Sequence, residues 1–283
     1  MAFTLSDEVR KVLSESEITD SQVKLPGQLS RELYLAVNKA LTDAGGKWNR
    51  KAGAHVFVRD PREVLGLAIA SGVSVNKRKE RQEFVTPAAL AKYVVEMAGV
   101  DGHTVLEPSA GTGSLAKACM AAGAKEVICV ELDSFNAGEL LKAGFDAYCT
   151  DFLQFVPGET YKRIVMNPPF TRNQDVVHVS KALALLAPHE GQLTAIMMAN
   201  TDRGPFRRMV EDLDESGWWH ESMDLPEGSF KEAGTGVHTM LFRVRSPAEP
   251  DRRPDEKSGQ GGSDAQPGVG CAGRPGRGVR ITV

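Results

Sequence analysis

Hydrophobic positions are spaced differently in three parts of the chain. Between residues 83 and 246, short apolar runs of strand length alternate with stretches whose apolar residues recur at helical spacing. This alternation predicts an α/β fold built on a mainly parallel sheet. The expected strands lie near 103–107, 127–131, 146–149, 164–166 and 193–198, followed by a hairpin of strands near 218–223 and 237–244. The helices expected around them lie at 87–98, 114–122, 137–143, 175–187 and 207–216.

Residues 1–82 predict a smaller α+β unit. Gly45-Gly46 is a helix stop, and the turn that follows it is basic and contains glycine. The expected elements, in chain order, are a short helix within 1–24, a helix at 28–44, a hairpin at 47–58 and a helix at 61–72.

The end of the chain has a different composition. Residues 247–283 are rich in Pro, Gly, Arg, Asp and Ser and hold few bulky apolar residues. Such a segment cannot bury enough surface to offset the entropy of ordering, so a disordered tail is expected. The charged run at 77–81 is expected to be a solvated linker to the α/β domain of residues 83–246.

The net charge of −3 hides an uneven distribution. Residues 1–82 carry 14 Lys/Arg against 10 Asp/Glu, whereas residues 83–245 carry 14 against 22. A basic leading segment on an acidic domain is what a protein that meets a polyanion often shows. Ordinary scatter of surface charge explains the same counts, and both interpretations stay open here.

Several classes of protein are not expected. No apolar run approaches the ~18 residues that a bilayer-spanning helix needs, and the first residues lack a signal-peptide pattern, so a cytoplasmic location is expected. The four cysteines form no Cys-x-x-Cys pair and the six histidines are scattered, so no metal site is expected.

The hairpin of the first unit is a candidate for contact with nucleic acid. Lys47, Arg50 and Lys51 surround its tip and lie beside Trp48. Basic side chains at such a tip can follow phosphates or enter a groove. The alternative is a structural appendage in which Trp48 packs into the core of its own unit.

A glycine-rich turn joins the first strand of the α/β domain to a helix, with the sequence Glu107-Pro108-Ser109-Ala110-Gly111-Thr112-Gly113. Glycines let a backbone approach a ligand closely, and the helix start offers N–H groups. Glu131 ends the next strand, at the offset where an acid can accept from both ribose hydroxyls of a nucleotide. However, Glu107 stands where a dinucleotide's pyrophosphate would approach. A carboxylate there suits a cationic, phosphate-free ligand, which favours S-adenosylmethionine.

A second turn has the opposite character. Asn167-Pro168-Pro169-Phe170 follows the buried run Ile164-Val165-Met166. Two prolines cannot continue a strand ladder, and Asn167 must be extended because a proline follows it. By itself, this stiff turn can be only a strand terminator.

Five sequence elements, which occur in one order, indicate that the two turns belong to one site. They are Phe84-Val85-Thr86-Pro87, the glycine turn, Glu131, Asp151-Phe152 and Asn167-Pro168-Pro169-Phe170. This series resembles the S-adenosylmethionine-dependent DNA amino-methyltransferases, above all the N6-adenine enzymes of the gamma arrangement. The resemblance covers residues 84 to about 245. It implies a Rossmann-like class I methyltransferase fold with a mainly parallel seven-stranded sheet whose last strand is antiparallel.

The resemblance also implies roles for individual residues. Thr86 and Pro87 should hold the methionine carboxylate of the cofactor, and Glu131 its ribose, while Asp151 accepts from its adenine amino group and Phe152 packs on that ring. The backbone of the glycine turn should line the methionine moiety, with contributions from Glu107, Pro108, Ala110, Gly111 and Gly113. For Asp151 and Phe152 considered alone, a cap and a core aromatic are the competing interpretation.

Catalysis is expected at the Pro-Pro turn. Asn167 Oδ1 and the Pro168 carbonyl would accept the two hydrogens of an exocyclic amine, Pro169 would hold both acceptors rigidly, and Phe170 would stack on the base. Phe230, in the segment 230–236, should pack on the same base or belong to the core. Asp175 and His178 are expected to cap or coat a helix, and Arg203 to line the substrate channel or coat a helix.

The function expected from the resemblance is N6-adenine methylation of DNA by a solitary or phage-type enzyme. The alternatives are methylation of an RNA base amine, of cytosine N4 in DNA or of a protein amide, and a cofactor-binding module without catalysis. Recognition of a target sequence would have to come from residues 25–82, from residues 200–235 or from a partner.

Overall fold

The structure is a computed structural model that describes residues 2–76, 84–231 and 236–248. The chain divides into two compact units, Met1–Glu83 and Phe84–Val283. The predicted boundary at 82/83 lies next to this division. The predicted linker at 77–81 and nearly all of the predicted tail lie outside the described residues, so both stay predictions.

The first unit is a small α+β structure. Its helices are α1 (Asp7–Glu15), α2 (Arg31–Asp43) and α3 (Arg62–Ser71). Its strands are β1 (Phe3–Thr4), β2 (Glu17–Thr19), β3 (Gln22–Lys24), β4 (Lys47–Asn49), β5 (Ala54–Val56) and β6 (Val73–Ser74). Four of them form a sheet in the order β2-β3-β5-β4, which leaves β4 at an edge, and β1 pairs with β6.

The sequence missed one hairpin in this unit. Residues 1–24 were expected to hold only a short helix, but β2 and β3 form an antiparallel pair after α1. Asp20 turns the chain between them with a positive φ of 50°, which an aspartate tolerates better than most residues. Each strand has three residues, too few for the alternation of apolar and polar positions to show.

The second unit holds five helices and seven strands among its described residues. The helices are α4 (Ala88–Ala98), α5 (Ser114–Ala121), α6 (Ser134–Lys142), α7 (Gln174–Leu183) and α8 (Gly204–Glu215). The strands are β7 (Thr104–Glu107), β8 (Glu126–Glu131), β9 (Asp146–Cys149), β10 (Arg163–Met166), β11 (Gln192–Met198), β12 (Trp219–Asp224) and β13 (Thr239–Arg245). All seven expected strands are present.

One sheet collects these strands in the order β12-β13-β11-β10-β7-β8-β9. The pairs from β11 to β9 are parallel, and β13 runs antiparallel to both β11 and β12. The chain moves outward from β7 through β8 to β9, then returns to place β10 on the other side of β7. The order therefore reverses between β7 and β10, and ligands of open α/β sheets bind at the carboxyl ends of strands at such a point.

Alternate residues of each strand enter two separate cores, one on each face of the sheet. Val105 of β7 and Val165 of β10 lie in the core that α4, α5 and α6 cover. Their neighbours Leu106 and Ile164 lie in the core on the opposite face, with α7 and α8. Both faces are apolar because helices bury both, so the strands read as continuous apolar runs.

Helix starts follow the capping residues. For example, Asp133 accepts from the N–H groups of Phe135 and Asn136, so α6 begins at Ser134, three residues before the predicted start. In the part of the chain that the structure describes, no helix has both the length and the apolar character needed to cross a bilayer.

Candidate active site

The carboxyl ends of β7, β8 and β10 form the candidate site. Glu107 ends β7 and Asn167 directly follows β10, so these two residues flank the point where the strand order reverses. Glu131 ends β8, the neighbour of β7 on the other side. Residues separated by up to 60 positions in the sequence are therefore gathered at one edge of the sheet.

The glycine turn between β7 and α5 depends on two left-handed residues. Gly111 has a φ of 53° and Gly113 a φ of 78°, values that favour glycine. A Cβ on Gly113 would lie 2.7 Å from Leu140 Cδ2, whereas a Cβ on Gly111 would meet no atom within 4 Å among the described residues. Gly113 thus serves packing of the turn against α6, and Gly111 borders open space where a ligand can approach.

Glu131 ties this turn to the next strand. One carboxylate oxygen, Oε2, accepts from Gly111 N–H at 2.7 Å, and the other, Oε1, accepts from Asp133 N–H at 2.7 Å. Glu131 is therefore fixed beside the turn by backbone donors before any ligand arrives.

Glu107 is a buried carboxyl group, and one of its two oxygens lacks a hydrogen-bond partner within the described residues. It is 1% exposed, and its Oε2 atom has no hydrogen-bond partner in the described part of the chain. Burial, and secondarily the charge of Glu131, raises the pKa of Glu107 well above its usual range, against a backbone hydrogen bond from Ala116 that lowers it. An ammonium group placed at Oε2 would satisfy the atom and stabilise the ionised form.

These features fit S-adenosylmethionine. Its ammonium and sulfonium groups are cationic, so they suit the buried Glu107, and its ribose suits a fixed carboxylate such as Glu131. The open side of Gly111 leaves room for a ligand against the backbone. No phosphate is required by any of these groups, and a phosphate beside Glu107 would be repelled.

Asn167 is held by its amide nitrogen. Nδ2 donates to the Phe84 carbonyl at 3.2 Å and to Thr86 Oγ1 at 3.1 Å. Since a carbonyl oxygen can only accept, the nitrogen must face Phe84, and Oδ1 must point the other way. Asn167 Oδ1 is buried and has no partner within the described residues. The site thus presents a fixed, unused acceptor.

Thr86 and Phe84 therefore act on Asn167. Thr86, expected to hold the cofactor's methionine carboxylate, lies 5% exposed with its hydroxyl accepting from Asn167, and Pro87 directly precedes α4. Phe84 was not expected to contribute, although it stands in the same motif. The only sequence feature that could have predicted this contact is the order of motifs, in which the Phe-x-Thr-Pro element accompanies the Asn-Pro-Pro-Phe turn.

Three aromatic rings pack beside the Pro-Pro turn. Phe170 stacks on Phe84 with 6.4 Å between ring centroids and 26° between planes, and it meets Phe230 edge-on at 6.4 Å. Phe84 and Phe230 are 6.5 Å apart. Phe170 and Phe230 are 2% and 1% exposed, so both belong to the core in this conformation. Residues 232–235 of the predicted 230–236 segment lie outside the described residues.

Asp151 and Phe152 lie after β9, at the same edge of the sheet. Asp151 Oδ1 accepts from Leu153 N–H at 2.9 Å and caps a short 3₁₀ turn. Phe152 is 3% exposed and packs on the ring of His178 at 5.7 Å. Burial lowers the pKa of His178, against the opposing effects of Asp151 and Asp175. These contacts are those of a cap and a core aromatic, and the cofactor roles expected for them stay predictions.

A buried ion pair after the Pro-Pro turn contradicts one expectation. Asp175 was expected on a helix surface or as a cap, yet it is fully buried. Its two carboxylate oxygens accept from the two terminal nitrogens of the Arg203 guanidinium, each at 2.9 Å. Arg203 also donates to Asn173 Oδ1 at 3.2 Å. His178, likewise expected at the helix surface, is 8% exposed. Helical spacing places these residues on the side of α7 that faces the sheet, which their polarity had concealed.

This pair braces a strained segment. Arg172 adopts a positive φ of 52°, which costs such a residue roughly 1–2 kcal/mol, and Asn173 adopts a φ of 60°, which an asparagine tolerates better. Asp175 Oδ2 also accepts from Met198 N–H at 3.2 Å, so the segment is bound to the end of β11. Asp175 and Arg203 thus fix the chain that leaves Phe170. No local pattern indicates this pair, because its acid and its base lie 28 residues apart in the sequence.

Some expected residues lie elsewhere. Lys47, Arg50 and Lys51 belong to the first unit, where all three are exposed. No cluster of three or more His, Cys, Asp or Glu side chains suited to a metal ion occurs within residues 2–76, 84–231 and 236–248. A cavity of about 1040 Å³ lies at the amino ends of β10 and β11, away from the candidate site.

Comparison with known proteins gives a partial sequence match. No family model matches the chain. A segment of 106 residues is 35% identical to the ribosomal RNA small subunit methyltransferase A of Agrobacterium fabrum, covering 33% of this chain and 38% of that protein. The chain therefore matches well under half the length of this curated relative.

Solved structures resemble the chain in fold. The methyltransferase subunit of a type I restriction-modification system from Streptococcus thermophilus aligns with a TM-score of 0.50 and 16% identity, over 64% of this chain and 49% of that one. A protein from Vibrio vulnificus YJ016, described as a modification subunit of a type I restriction enzyme, aligns with a TM-score of 0.50 and 17% identity, over 79% and 56%.

The expected fold class is confirmed by this architecture. The second unit has the α/β fold of class I methyltransferases, with a mainly parallel seven-stranded sheet and an antiparallel last strand. S-adenosylmethionine is the cofactor that fits the residues of the candidate site.

Proposed function

We propose that this protein transfers a methyl group from S-adenosylmethionine to the exocyclic N6 amine of adenine in DNA. The observation that carries the proposal is the Asn167 side chain, whose Nδ2 is bound to Phe84 and Thr86 while Oδ1 remains a buried, unused acceptor. An aromatic amine supplies the donor that this atom lacks.

The chemistry needs acceptors more than a base. The lone pair of an adenine amine is delocalised into the ring, so the amine is a poor nucleophile. Acceptance of its two hydrogens by Asn167 Oδ1 and the Pro168 carbonyl favours a pyramidal nitrogen with an available lone pair. Once the nitrogen carries the methyl group it is cationic, and its acidic proton is lost to solvent water. Positioning supplies most of the rate.

S-adenosylmethionine supplies an electrophilic methyl group bonded to a sulfonium. On the protein side, Glu107 would bind the ammonium group and Glu131 the ribose hydroxyls. The backbone at Gly111 would lie along the methionine moiety. Pro168 and Pro169 fix φ, so the acceptors of the turn lose little entropy when a substrate binds.

A base must leave its helix to reach this turn, because the acceptors lie at a buried edge of the sheet. Phe170 is the ring on which such a base would stack, and Phe230 a second ring against it. In this conformation, both rings contact each other and Phe84. Entry of a base therefore requires the rings to separate, a cost that the base recovers by stacking.

Methylation of an RNA base amine is the second candidate. The observation that favours it is the 106-residue match to a protein named as a ribosomal RNA methyltransferase. The order of motifs from Phe84 to Phe170 favours DNA. Asn167 and Pro168 would accept from the amines of adenine and cytosine in the same way. The choice between these two bases would therefore depend on the space around Phe170 and Phe230.

The test is a transfer assay with radiolabelled S-adenosylmethionine. Duplex DNA, single-stranded DNA, total RNA and a protein mixture are offered separately, and the labelled product is digested and identified by nucleoside mass analysis. N6-methyladenine from DNA is the expected product. Label in RNA alone would replace the proposal by the second candidate, and label in protein alone would exclude both.

A further inference from the structure

The edge strand of the first unit holds an exposed indole. In the register of the sheet, Ile18, Val23, His55 and Trp48 lie opposite one another in one row, so they share one face. Val23 and His55 are fully buried, but Trp48, at the outer end of the row, is 49% exposed. Trp48 therefore does not pack into the core of its own unit, and whether the unit is a structural appendage stays a prediction.

His55 packs against the inner side of this indole. The two rings meet edge-on with 5.2 Å between centroids. His55 Nε2 lies 2.9 Å from Asn38 Oδ1 on α2, so the imidazole is itself tied to a helix. Trp48 is thus held on its inner side by a rigid neighbour, while about half of the residue is exposed to solvent. Pre-organisation of this kind lowers the entropy lost when a ligand binds.

The turn after Trp48 is also pre-organised. Asn49 Oδ1 accepts from the N–H groups of Lys51 and Ala52, at 2.9 and 3.1 Å. Such a turn stabilises itself without help from a core. Lys47, Arg50 and Lys51 are exposed, and no ion pair is recorded for them within the described residues. Three cations therefore accompany one aromatic ring within five residues.

The other exposed tryptophan, Trp219, differs from Trp48 because cations already cover its ring. Trp219, on β12, is 42% exposed, but the guanidinium groups of Arg243 and Arg245 lie over its ring at 5.6 and 4.6 Å. Its π surface is already used by cations of its own unit. Exposure alone does not make a stacking platform, and Trp219 is the natural control for Trp48.

We propose that the segment Lys47–Lys51 is a binding site for single-stranded nucleic acid, in which an unpaired base stacks on Trp48 and neighbouring phosphates contact Lys47, Arg50 and Lys51. A π face accepts any base, and cations that accompany it follow the backbone, so the site is indifferent to sequence. The inference rests on the proposed nucleic-acid substrate and adds the strandedness of the nucleic acid at this surface.

Single strands are favoured over duplex by the indole. In a duplex, each base already stacks on its neighbours, so an exposed ring on a sheet edge finds no π face to cover. The three cations alone would serve a duplex equally well. The combination of a ring and cations is what selects an unpaired strand.

The experiment uses the full chain without cofactor, so its outcome does not depend on methyl transfer. Fluorescence anisotropy measures binding of a labelled single-stranded 12-mer and of an abasic 12-mer with the same number of phosphates. The wild type should bind the base-containing strand about 5- to 100-fold tighter. Trp48→Ala should remove most of this ratio, whereas Trp219→Phe should keep it.

The cations have a separate readout. The triple variant Lys47→Ala, Arg50→Ala, Lys51→Ala should lower the slope of log K against log salt by about 2, from roughly 0.7 for each phosphate contact on a single strand. It should leave the ratio between base-containing and abasic strands nearly unchanged. Trp48→Phe, which retains an aromatic ring against His55, should keep part of the ratio and guards against loss of folding in Trp48→Ala.

Three results would overturn the proposal. One is an unchanged ratio in Trp48→Ala with a normal circular dichroism spectrum. Another is a duplex that displaces the labelled single strand as well as an unlabelled single strand does, both from the wild type and from Trp48→Ala. The third is self-association of the wild type that Trp48→Ala abolishes, which would make the edge strand β4 an interface between copies. Absence of methyl transfer to any nucleic acid would contradict the proposed function and leave these binding results interpretable.

Discussion

The two turns at the edge of the sheet solve opposite problems. The glycine turn at 107–113 uses flexible residues to expose backbone and surrounds them with carboxyl groups, one of which is buried with a raised pKa. The Pro-Pro turn at 167–170 uses stiff residues and a neutral amide whose nitrogen is already bound. The first suits a cation that arrives and neutralises a charge. The second suits a neutral donor that must be aligned.

This difference separates binding from catalysis. A group that binds the cofactor contributes to affinity, and a group that aligns the substrate amine contributes to the rate of transfer. A substitution in the glycine turn should therefore change cofactor affinity, and a substitution in the Pro-Pro turn should change the rate of transfer. Equal effects of both substitutions on both quantities would contradict this division of roles.

The largest effect is expected at the Pro-Pro turn. Asn167→Ala removes the fixed acceptor and should lower kcat by about 10²- to 10³-fold, the usual loss for one pre-organised electrostatic group. Cofactor affinity, measured by calorimetry, should change less than threefold. If cofactor binding disappeared together with activity, the assignment of Asn167 to the substrate would be wrong.

Glu107→Gln should act on the cofactor instead. Loss of the carboxylate should raise the Kd for S-adenosylmethionine by about 10- to 100-fold, since a hydrogen bond to a charged group is lost. Because the pKa of Glu107 is raised in the cofactor-free protein, the wild type should release a proton on binding, and its affinity should rise with pH above the usual carboxyl range. Calorimetry in buffers of different ionisation enthalpy measures this release, which the variant should lack.

The same group has an effect on stability, with a definite sign. A carboxyl whose pKa is raised on folding holds its proton more tightly in the native state, so its contribution is most favourable at low pH and is lost as pH rises through the folded pKa. Glu107→Gln should therefore raise the free energy of unfolding at pH 8, by about 1–3 kcal/mol, and much less at pH 4. A variant less stable than the wild type at pH 8 would contradict the buried, unpaired state of Glu107.

The two glycines provide a matched pair. Gly113→Ala places a Cβ 2.7 Å from Leu140 Cδ2 and should lower the free energy of unfolding by about 1–3 kcal/mol. Gly111→Ala meets only the strain of positive φ, about 1–2 kcal/mol, but puts a methyl group into the open side of the turn. Gly111→Ala should therefore weaken cofactor binding more for each unit of stability lost. Thermal melts measure the loss of stability in both variants, and calorimetry measures the loss of cofactor affinity. If the ratio of these two losses were the same for Gly111→Ala and Gly113→Ala, Gly111 would not contact the ligand.

Thr86→Val gives the smallest effect and separates two roles. If Thr86 positions Asn167, loss of its hydroxyl should lower kcat about 3- to 10-fold, the value of one hydrogen bond, with little change in the Kd of the cofactor. Steady-state kinetics and calorimetry distinguish this from the role expected from the resemblance, in which the Kd rises and kcat is retained. Thr160→Val, at an exposed position outside both turns, is the control.

The sequence predicted the sheet and the two turns because both leave local signals. Apolar runs of strand length, Gly-x-Gly and Pro-Pro are visible within a few residues. By contrast, Asp175 and Arg203 meet across 28 residues, and each by itself looks like a surface charge. The contact of Asn167 with Phe84 and Thr86 spans more than 80 residues, so the amide's orientation could not be read from either motif.

Small elements were missed for a related reason. Strands β2 and β3 have three residues each, and the hairpin they form depends on its pairing with the neighbouring strand β5 rather than on its own pattern. Trp48 shows the same limit, since its exposure depends on its place at the end of a row of buried residues. Tertiary position, which the local sequence does not encode, decided both cases.

The central claim is that Asn167 Oδ1 accepts from the amine of the target base, and a double-mutant cycle tests it most directly. Wild type and Asn167→Ala are each titrated with an oligonucleotide carrying adenine at the target position and with one carrying purine, which lacks the amine. The wild type should bind the adenine strand about 3- to 10-fold tighter, as one net hydrogen bond allows, and Asn167→Ala should bind both alike. If the preference for adenine persisted undiminished in Asn167→Ala, the amine would be bound elsewhere.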